Sequence, residues 1–387
     1  MDNDIINIIG ELNNRYSRFK LISWWNQEIL SKAKILVVGC GALGNEIVKN
    51  LAMLGVGNIY VVDMDNVEKS NLTRSVLFRK EDEGKPKAET VCKRAKEIND
   101  EINIKYFKGN IFELGLGVFK EMDLVICGLD SREARLFVNQ SCRKVNKVWI
   151  DGAIEVLSGV ARMFTPDSPC YECTLNETDY KLINKRKSCL MLGYDDIQDG
   201  KIPTTPTISS IVAGVQVQEA IKFLHKNDFE LLKGKGFVYN GSTNESYIVE
   251  YQEKENCPSH YTFDGILKIN KFFSEATINN VLDFGKKYFG TDGFLIELNN
   301  ETVIELIDEH GNPENYFANM NLISLKDIKR NEKLMKMHSV HKLNYAQADK
   351  FTEMKLTDLK IPYNDIITLK NSTKEIHIEF EYEDIFL

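Results

Sequence analysis

The stretch Lys34–Asp65, KILVVGCGALGNEIVKNLAMLGVGNIYVVDMD, decides the fold class of this 387-residue chain. It begins with an apolar, β-branched run at 35–38, which is typical of a buried parallel strand. Gly39–Gly44 then matches G-x-G-x-x-G, in which glycines permit a tight turn and let backbone N–H groups approach a phosphate. A helix N-terminus follows, and Asp63 stands where a ribose-binding acid is expected. The pattern predicts a nucleotide site with three binding glycines, Gly39, Gly41 and Gly44.

Composition and charge exclude several classes of protein. The chain is 43% hydrophobic and 27% charged, as in ordinary soluble proteins, and its net charge of -8 argues against general nucleic-acid binding. No stretch approaches the roughly 18 apolar residues that a membrane span needs. The polar, acidic N-terminus does not resemble a signal peptide, so the eight cysteines are expected to be reduced. We therefore expect a cytoplasmic protein with no nucleic-acid or membrane partner.

Strand and helix patterns alternate from Lys34 to Ile150, which predicts βαβ units in a mostly parallel, Rossmann-like α/β sheet. The strands are predicted at Lys34–Val38, Ile59–Asp63, Ile102–Phe107, Leu124–Cys127 and Val148–Ile150. After Pro258 the character changes, and Gly265–Leu387 reads as a smaller α+β domain without glycine-rich loops. The predicted domains are therefore residues 1–262 and 265–387.

Two details of the second domain are specific enough to check. Asn299-Asn300 separates two apolar runs, which predicts a hairpin between Phe294–Leu298 and Thr302–Ile307. Near the end of the chain, apolar and polar residues alternate over residues 376–380, which predicts a half-exposed strand.

Polar side chains gather where the predicted parallel strands end. Arg74 and Lys87 would suit a triphosphate better than a hydride donor, and Asp130, after the strand Leu124–Cys127, is a candidate ligand for Mg²⁺. Each also has an ordinary interpretation, as surface charges for the two cations and as a helix cap for the aspartate. Their joint position favours ATP over a dehydrogenase cofactor. The further candidates at this edge are Asp65, Ser70, Asn71 and Ser131.

The cysteines divide into a candidate metal set and a candidate nucleophile. Cys170 and Cys173 form a C-x-x-C pair, and Cys257 and His260 form a C-x-x-H pair. Three thiolates and one imidazole make a complete tetrahedral zinc set, although a redox C-x-x-C is the rival interpretation. Cys189 comes two residues after the basic run Lys185–Lys187, and nearby cations would lower its pKa and favour the thiolate.

Taken in order, these motifs resemble the adenylation signature of the ubiquitin-activating superfamily. The resemblance covers residues 11–260 and includes the activators of bacterial sulfur carriers. It implies a ThiF-type domain over residues 1–262 that uses ATP and Mg²⁺ to adenylate the C-terminal glycine of a small β-grasp protein. It also implies a homodimer in which Arg18 reaches the partner's nucleotide. Family members carry a second C-x-x-C where this chain has Cys257 and His260, so the histidine is a departure that keeps a zinc ligand.

The resemblance also implies a role for the loop over residues 177–206. In the family this crossover loop bears the cysteine that captures the carrier, here Cys189. Residues 265–387 have the size of a ubiquitin-fold-like domain that recruits a conjugating enzyme. The leading hypothesis is therefore ATP-dependent activation of a ubiquitin-like protein, a thioester on Cys189, and transfer to a conjugating enzyme. A sulfur-carrier adenylyltransferase, a peptide-modifying adenylase and a non-catalytic scaffold are the alternatives.

Overall fold

An eight-stranded sheet forms the larger part of the structure. The computed structural model describes residues 14–183, 203–330, 333–382 and 384–386. The strands of this sheet are β1 (Lys34–Val38), β2 (Asn58–Asp63), β3 (Asn103–Lys108), β4 (Leu124–Cys127), β5 (Trp149–Glu155), β6 (Ser158–Phe164), β7 (Lys235–Asn240) and β8 (Glu245–Glu250). Their order is β3-β2-β1-β4-β5-β6-β7-β8. Strands β1 to β5 pair in parallel and β6 to β8 continue antiparallel, so the predicted Rossmann-like sheet is confirmed.

Helices cover both faces of this sheet. They are α1 (Gln27–Lys32), α2 (Ala42–Leu54), α3 (Lys87–Ile98), α4 (Leu116–Glu121), α5 (Arg132–Lys144), α6 (Tyr171–Thr174) and α7 (Pro206–His225). Helices α2, α3 and α7 share one hydrophobic core with the sheet, and α4 and α5 share the other. The strand order reverses between β1 and β4, which opens a crevice at their carboxyl ends. Among the described residues, no helix has the length and apolar character to cross a bilayer.

The C-terminal region builds a second sheet, as the α+β prediction requires. Its elements are β9 (Ile266–Phe272), α8 (Ile278–Phe289), β10 (Leu295–Ile307), β11 (Pro313–Asn319), β12 (Lys329–Arg330), β13 (Lys333–Leu334), β14 (Lys336–Asn344), α9 (Tyr345–Ala348), β15 (Ile367–Lys370) and β16 (Glu375–Glu381). The order is β11-β10-β15-β16-β9, β14 also pairs with β10, and β16 and β9 pair in parallel. Helix α8 shares a hydrophobic core with the sheet. The ubiquitin-fold identity stays a prediction.

The predicted hairpin around Asn299-Asn300 is wrong. Strand β10 runs through both residues without a turn, although its pairing with β14 is irregular there. The Asn299 side chain donates to the carbonyl of Ile366 at 2.6 Å, and Asn300 donates to the carbonyl of Phe112 at 3.3 Å. The two amides therefore join β10 to other segments, and such tertiary bonds are invisible in a local sequence pattern.

Strand β16 is buried on both faces, so the prediction of a half-exposed strand is also wrong. The ring of His377 stacks on Phe263 with centroids 3.8 Å apart, and Glu379 pairs with Lys120 of α4 at 2.6 Å. Burial lowers the pKa of His377 to about 4. The polar side of the strand thus faces the larger sheet's helices and not solvent.

Backbone contacts join the two sheets' regions closely. The N–H of Gly115 donates to the carbonyl of Tyr363 at 3.0 Å, and that of Gly117 donates to the carbonyl of Asn364 at 2.8 Å. A Cβ at either glycine would lie 2.5 Å or less from the opposing backbone. The buried carboxylate of Asp365 accepts the N–H of Leu116, and its burial raises its pKa. The division into domains at residues 262–265 stays a prediction. Ile366 and Phe386 of the second region pack in a core cluster of the larger one.

Candidate functional site

The glycine turn, Gly39–Gly44, joins β1 to α2 at the crevice. Gly39 has a φ of 91°, and a Cβ there would lie 2.6 Å from the carbonyl oxygen of Gly128. A Cβ on Gly44 would lie 1.9 Å from the carbonyl oxygen of Gly39, so both positions require glycine. Gly41 differs, because a Cβ there would meet no atom within 4 Å. The turn thus leaves open space before the N-terminus of α2, as phosphate binding requires.

Asp63, at the end of β2, braces this turn. One carboxylate oxygen accepts the N–H of Cys40 at 2.6 Å, and the other accepts the N–H of Asp65 at 2.8 Å. Burial raises the pKa of Asp63, although Lys87 and the two N–H groups act in the opposite direction. The predicted ribose-binding acid therefore also shapes the turn, a role that the motif does not reveal.

Lys87 and Asp65 form an ion pair beside the turn. The Nζ of Lys87 lies 2.7 Å from an Asp65 carboxylate oxygen, and the Lys87 N–H donates to the Asp65 carbonyl at 2.9 Å. Partial burial opposes the charged lysine, but the carboxylates of Asp63 and Asp65 outweigh it and raise the Lys87 pKa. Lys87 is the first residue of α3 and is mostly buried, while Asp65 is exposed. The Lys87 cation is thus held by Asp65 and lies near Asp63, whose carboxylate bonds the glycine turn.

The segment 68–78 carries Arg74 to the same edge. Asn71 is buried, and its side-chain oxygen accepts the N–H of Glu68 at 2.9 Å, which closes a short helical turn. Ser70 donates its hydroxyl to the Glu68 carboxylate at 3.0 Å. The guanidinium of Arg74 donates to the carbonyl of Ser70 at 2.9 Å. Ser70 and Asn71 therefore hold the backbone that presents Arg74.

Asp130 follows β4 on the other side of the crevice. The N–H of Gly128 donates to the carbonyl of Val38 at 2.9 Å, which sets the end of β4 against β1. Ser131 is the cap of α5, and its hydroxyl accepts the N–H of Ala134 at 3.3 Å. Asp130 is exposed, and within the described ranges its carboxylate has no hydrogen bond or ion pair. It is thus free of the capping role and able to bind a cation.

A buried ionic network contacts residues 128–131, the loop between β4 and α5. Arg135 donates to both an Asp151 carboxylate oxygen, at 2.9 Å, and the carbonyl of Leu129. Asp151 is fully buried and also pairs with Arg162. Sequence reasoning missed Asp151 and Arg162, because their pairing depends on the register between β5 and β6, which no local sequence pattern reveals.

One candidate residue, Arg18, is not brought to this edge within its own chain. Arg18 is exposed. Tyr16, two residues before it, fixes the position of this segment, because its hydroxyl oxygen accepts the side-chain N–H of Asn99 at 2.7 Å. Asn99 caps the C-terminal end of α3, so Arg18 lies by the opposite edge of its own sheet. Cys189 and most of the crossover loop, residues 184–202, lie outside the described residues.

The four predicted metal ligands do come together. Their ligand atoms lie within 4.8 Å of one another, with Cys170 Sγ 3.8 Å from Cys173 Sγ and 3.7 Å from Cys257 Sγ, and Cys173 Sγ 3.3 Å from His260 Nε2. Thiolates around a tetrahedral zinc ion lie roughly 3.8 Å apart, given a Zn–S bond of about 2.3 Å. The other imidazole nitrogen lies 2.9 Å from the carboxylate of Glu253. Carboxylate support of this kind is usual for zinc-binding histidines, so the residues fit a structural zinc.

The other described cysteines are poor nucleophiles. Burial raises the pKa of the Cys92 thiol to about 12, and it raises the pKa values of Cys40, Cys127 and Cys142 well above the ordinary range. These thiols stay protonated at neutral pH, as expected for core residues.

Comparisons with known proteins agree with this arrangement. A family model described as the ThiF family matches residues 13–259. The SAMP-activating enzyme E1 of Haloferax volcanii is 29% identical over 259 residues, covering 63% of this chain and 87% of that enzyme. The NEDD8-activating enzyme E1 catalytic subunit of Arabidopsis thaliana is 38% identical over 162 residues, covering 38% of this chain. The chain spans only 36% of the length of that subunit.

Solved structures give the same result for the fold. The crystal structure of E. coli MccB with ATP has a TM-score of 0.54 and 27% identity, covering 64% of this chain and 74% of that one. The matched family region contains the glycine turn, Asp130 and Cys257, which the structure assembles into the crevice and the metal cluster. Since the family model matches well over half of the chain, the protein belongs to the ThiF family of the ubiquitin-activating superfamily.

Proposed function

We propose that this chain uses ATP to adenylate the C-terminal carboxylate of a ubiquitin-like protein. The observation that carries the proposal is the set of groups at one sheet edge, where an open glycine turn, two cationic side chains and a free carboxylate surround one crevice. Relatives named as SAMP- and NEDD8-activating enzymes support the substrate class.

The chemistry requires positioning and charge stabilisation more than covalent catalysis. A carboxylate oxygen of the carrier attacks the α-phosphorus of ATP, the bond from that phosphorus to the bridging oxygen breaks, and pyrophosphate leaves. Backbone N–H groups at Gly41 would bind the phosphates, and Lys87 and Arg74 would offset their charge. Mg²⁺ held by Asp130 would add further neutralisation of phosphate charge when bound.

The proposal includes a second step at Cys189. Its thiolate attacks the carbonyl carbon of the acyl-adenylate, a thioester forms, and AMP leaves with the electron pair of the broken C–O bond. Support comes from the basic residues that precede Cys189 in the sequence and from relatives named as E1 enzymes. A conjugating enzyme, recruited by residues 265–387, would then accept the carrier.

The decisive experiment is ATP–pyrophosphate exchange with candidate β-grasp carriers, followed by a non-reducing gel. Each carrier is paired with a version that lacks its last glycine. We expect exchange only with the intact carrier, and a thiol-sensitive adduct that disappears in Cys189→Ala while exchange persists. Exchange that needs no carrier at all would contradict the proposal.

A second candidate is an adenylase that modifies a peptide. It is favoured by the likeness to MccB, a microcin C7 biosynthetic enzyme whose structure with N-formylated MccA has a TM-score of 0.54 to this chain. A sulfur-carrier adenylyltransferase shares the adenylation step but needs no thioester. Exchange supported by short peptides and not by folded carriers would favour the peptide adenylase, and carrier adenylation without any adduct would favour the sulfur-carrier enzyme.

Arg18 supports a testable expectation about assembly. Because Arg18 lies by the opposite edge of its own sheet, a role at a nucleotide requires a second copy of the chain. Exposed apolar side chains of Val156, Leu157 and Ile211 offer a surface that a second copy could cover. We therefore expect Arg18→Ala and Lys87→Ala to be inactive alone. When the two variants are co-expressed in equal amounts, about half of the dimers are mixed, and each mixed dimer has one intact site of its two. The mixture should then regain about one quarter of wild-type exchange activity.

The control is a mixture of Lys87→Ala with Arg74→Ala, whose residues would act within one chain at one site. In a mixed dimer of these two variants each site retains one defect, so activity should stay at the level of the single variants. Equal recovery in both mixtures would contradict the assignment of Arg18 to the partner's site.

A further inference from the structure

Asn45, in the first turn of α2, bonds to two separate segments of the nucleotide edge. Its side chain is fully buried. The side-chain N–H₂ donates to the carbonyl of Cys40 at 2.7 Å and to that of Gly41 at 3.0 Å. Its oxygen accepts the N–H of Leu77 at 2.9 Å. Both donors and the acceptor of one amide are therefore engaged.

The two segments have different tasks in the crevice. Cys40 and Gly41 belong to the glycine turn, in which the Cys40 N–H is bonded to Asp63 and a Cβ on Gly41 would meet open space. Leu77 follows Arg74 by three residues and is buried in the core beneath it. The segments are 36 residues apart in sequence, with α2 and β2 between them, and Asn45 is a direct polar link between them.

We infer that Asn45 is a positioning residue that sets the distance between the phosphate-binding backbone and the Arg74 guanidinium. By drawing the carbonyls of Cys40 and Gly41 toward itself, the amide keeps those oxygens away from the phosphates, which they would repel. By fixing Leu77, it limits the movement of the segment that carries Arg74. This inference rests on the proposed function, because it requires a triphosphate in the crevice.

The test is a double-mutant cycle on nucleotide affinity. The dissociation constant of a non-hydrolysable ATP analogue is measured by calorimetry for the wild type, Asn45→Ala, Arg74→Ala and the double variant. We expect Asn45→Ala to weaken binding by about tenfold. Arg74→Ala should raise the dissociation constant of the analogue by a factor that is about threefold or more smaller in the Asn45→Ala background than in the wild type, as for coupled residues. Asn45→Ser, which keeps one hydroxyl, should lie between Asn45→Ala and the wild type and serves if the alanine variant does not fold.

The matched control is Asn319→Ala. Asn319 is also a buried asparagine that joins distant segments, donating to the carbonyl of Phe112 at 3.0 Å and accepting the N–H of Asn321 at 3.0 Å. Its loss should lower thermal stability without changing analogue affinity. If the wild type fails to bind the analogue, the proposed function and this inference both fall. If the wild type binds and the two effects simply multiply, the positioning role alone is overturned.

Discussion

Replacing Gly41 is expected to reduce the specificity constant for ATP in pyrophosphate exchange by about 10²-fold while leaving the fold intact. A Cβ at Gly41 would meet no protein atom within 4 Å, and its φ of -71° is ordinary for any residue. The position is the N-cap of α2, where glycine is preferred to alanine and valine, so its replacement should cost roughly 1 kcal/mol of stability. The new side chain would occupy the space proposed for the phosphates.

A size series makes this prediction sharper. Gly41→Ala should weaken exchange and Gly41→Val should weaken it more, with melting temperatures near that of the wild type. Gly265→Ala is the control, because a Cβ on that exposed residue also meets no atom within 4 Å, and the residue directly precedes β9 of the second sheet. Full activity in Gly41→Val would place the nucleotide elsewhere and refute the site.

Loss of one zinc ligand is expected to have the largest effect on stability. Cys170→Ser should remove the bound metal and lower the free energy of unfolding by about 4 kcal/mol or more, as losses of structural metal do. For a domain of this size, that corresponds to a fall of roughly 10 °C in melting temperature. Zinc content is read by elemental analysis of the purified chain and stability by calorimetry.

Two further variants distinguish zinc from a redox pair. Cys142→Ser removes a buried thiol outside the cluster and should leave zinc content unchanged. Glu253→Gln keeps all four ligands but removes the carboxylate beside His260, and should weaken zinc affinity by about tenfold. A purified wild-type chain that contains no zinc and forms a Cys170–Cys173 disulfide reversibly would support the redox interpretation.

The buried strands of the larger sheet were predictable because their sequence is continuous and apolar. The predicted bounds of β1, Lys34–Val38, and of β4, Leu124–Cys127, match the structure. The metal cluster was predictable from ligand chemistry together with the family resemblance, because the two pairs lie far apart in sequence and their spacing alone is weak evidence. The hairpin at Asn299-Asn300 failed because the amides bond to segments distant in sequence.

The missed parts of the site share one physical cause. Asn45 and Asp151 act through hydrogen bonds to residues that only the fold brings near, so neither has a spacing rule. Their common property is burial of a polar group with all or most partners satisfied, which becomes visible only in three dimensions. The role of Asp63 in bracing the turn was hidden in the same way, although the residue itself was identified.

The close backbone contact at Gly115 and Gly117 limits how a carrier protein could be transferred from the crevice to a protein bound on the second sheet. At this contact no side chain lies between the two backbones. Rotation of residues 265–387 about their connection would therefore separate two backbone hydrogen bonds and expose Ile366 and Phe386, which pack in a core cluster of the larger region. A protein docked on the second sheet would therefore be held in one orientation and at one distance relative to the crevice. The docked protein itself, or the C-terminal tail of the carrier, would then have to span the distance from the second sheet to the nucleotide. A rotation of residues 265–387 would not bring them together.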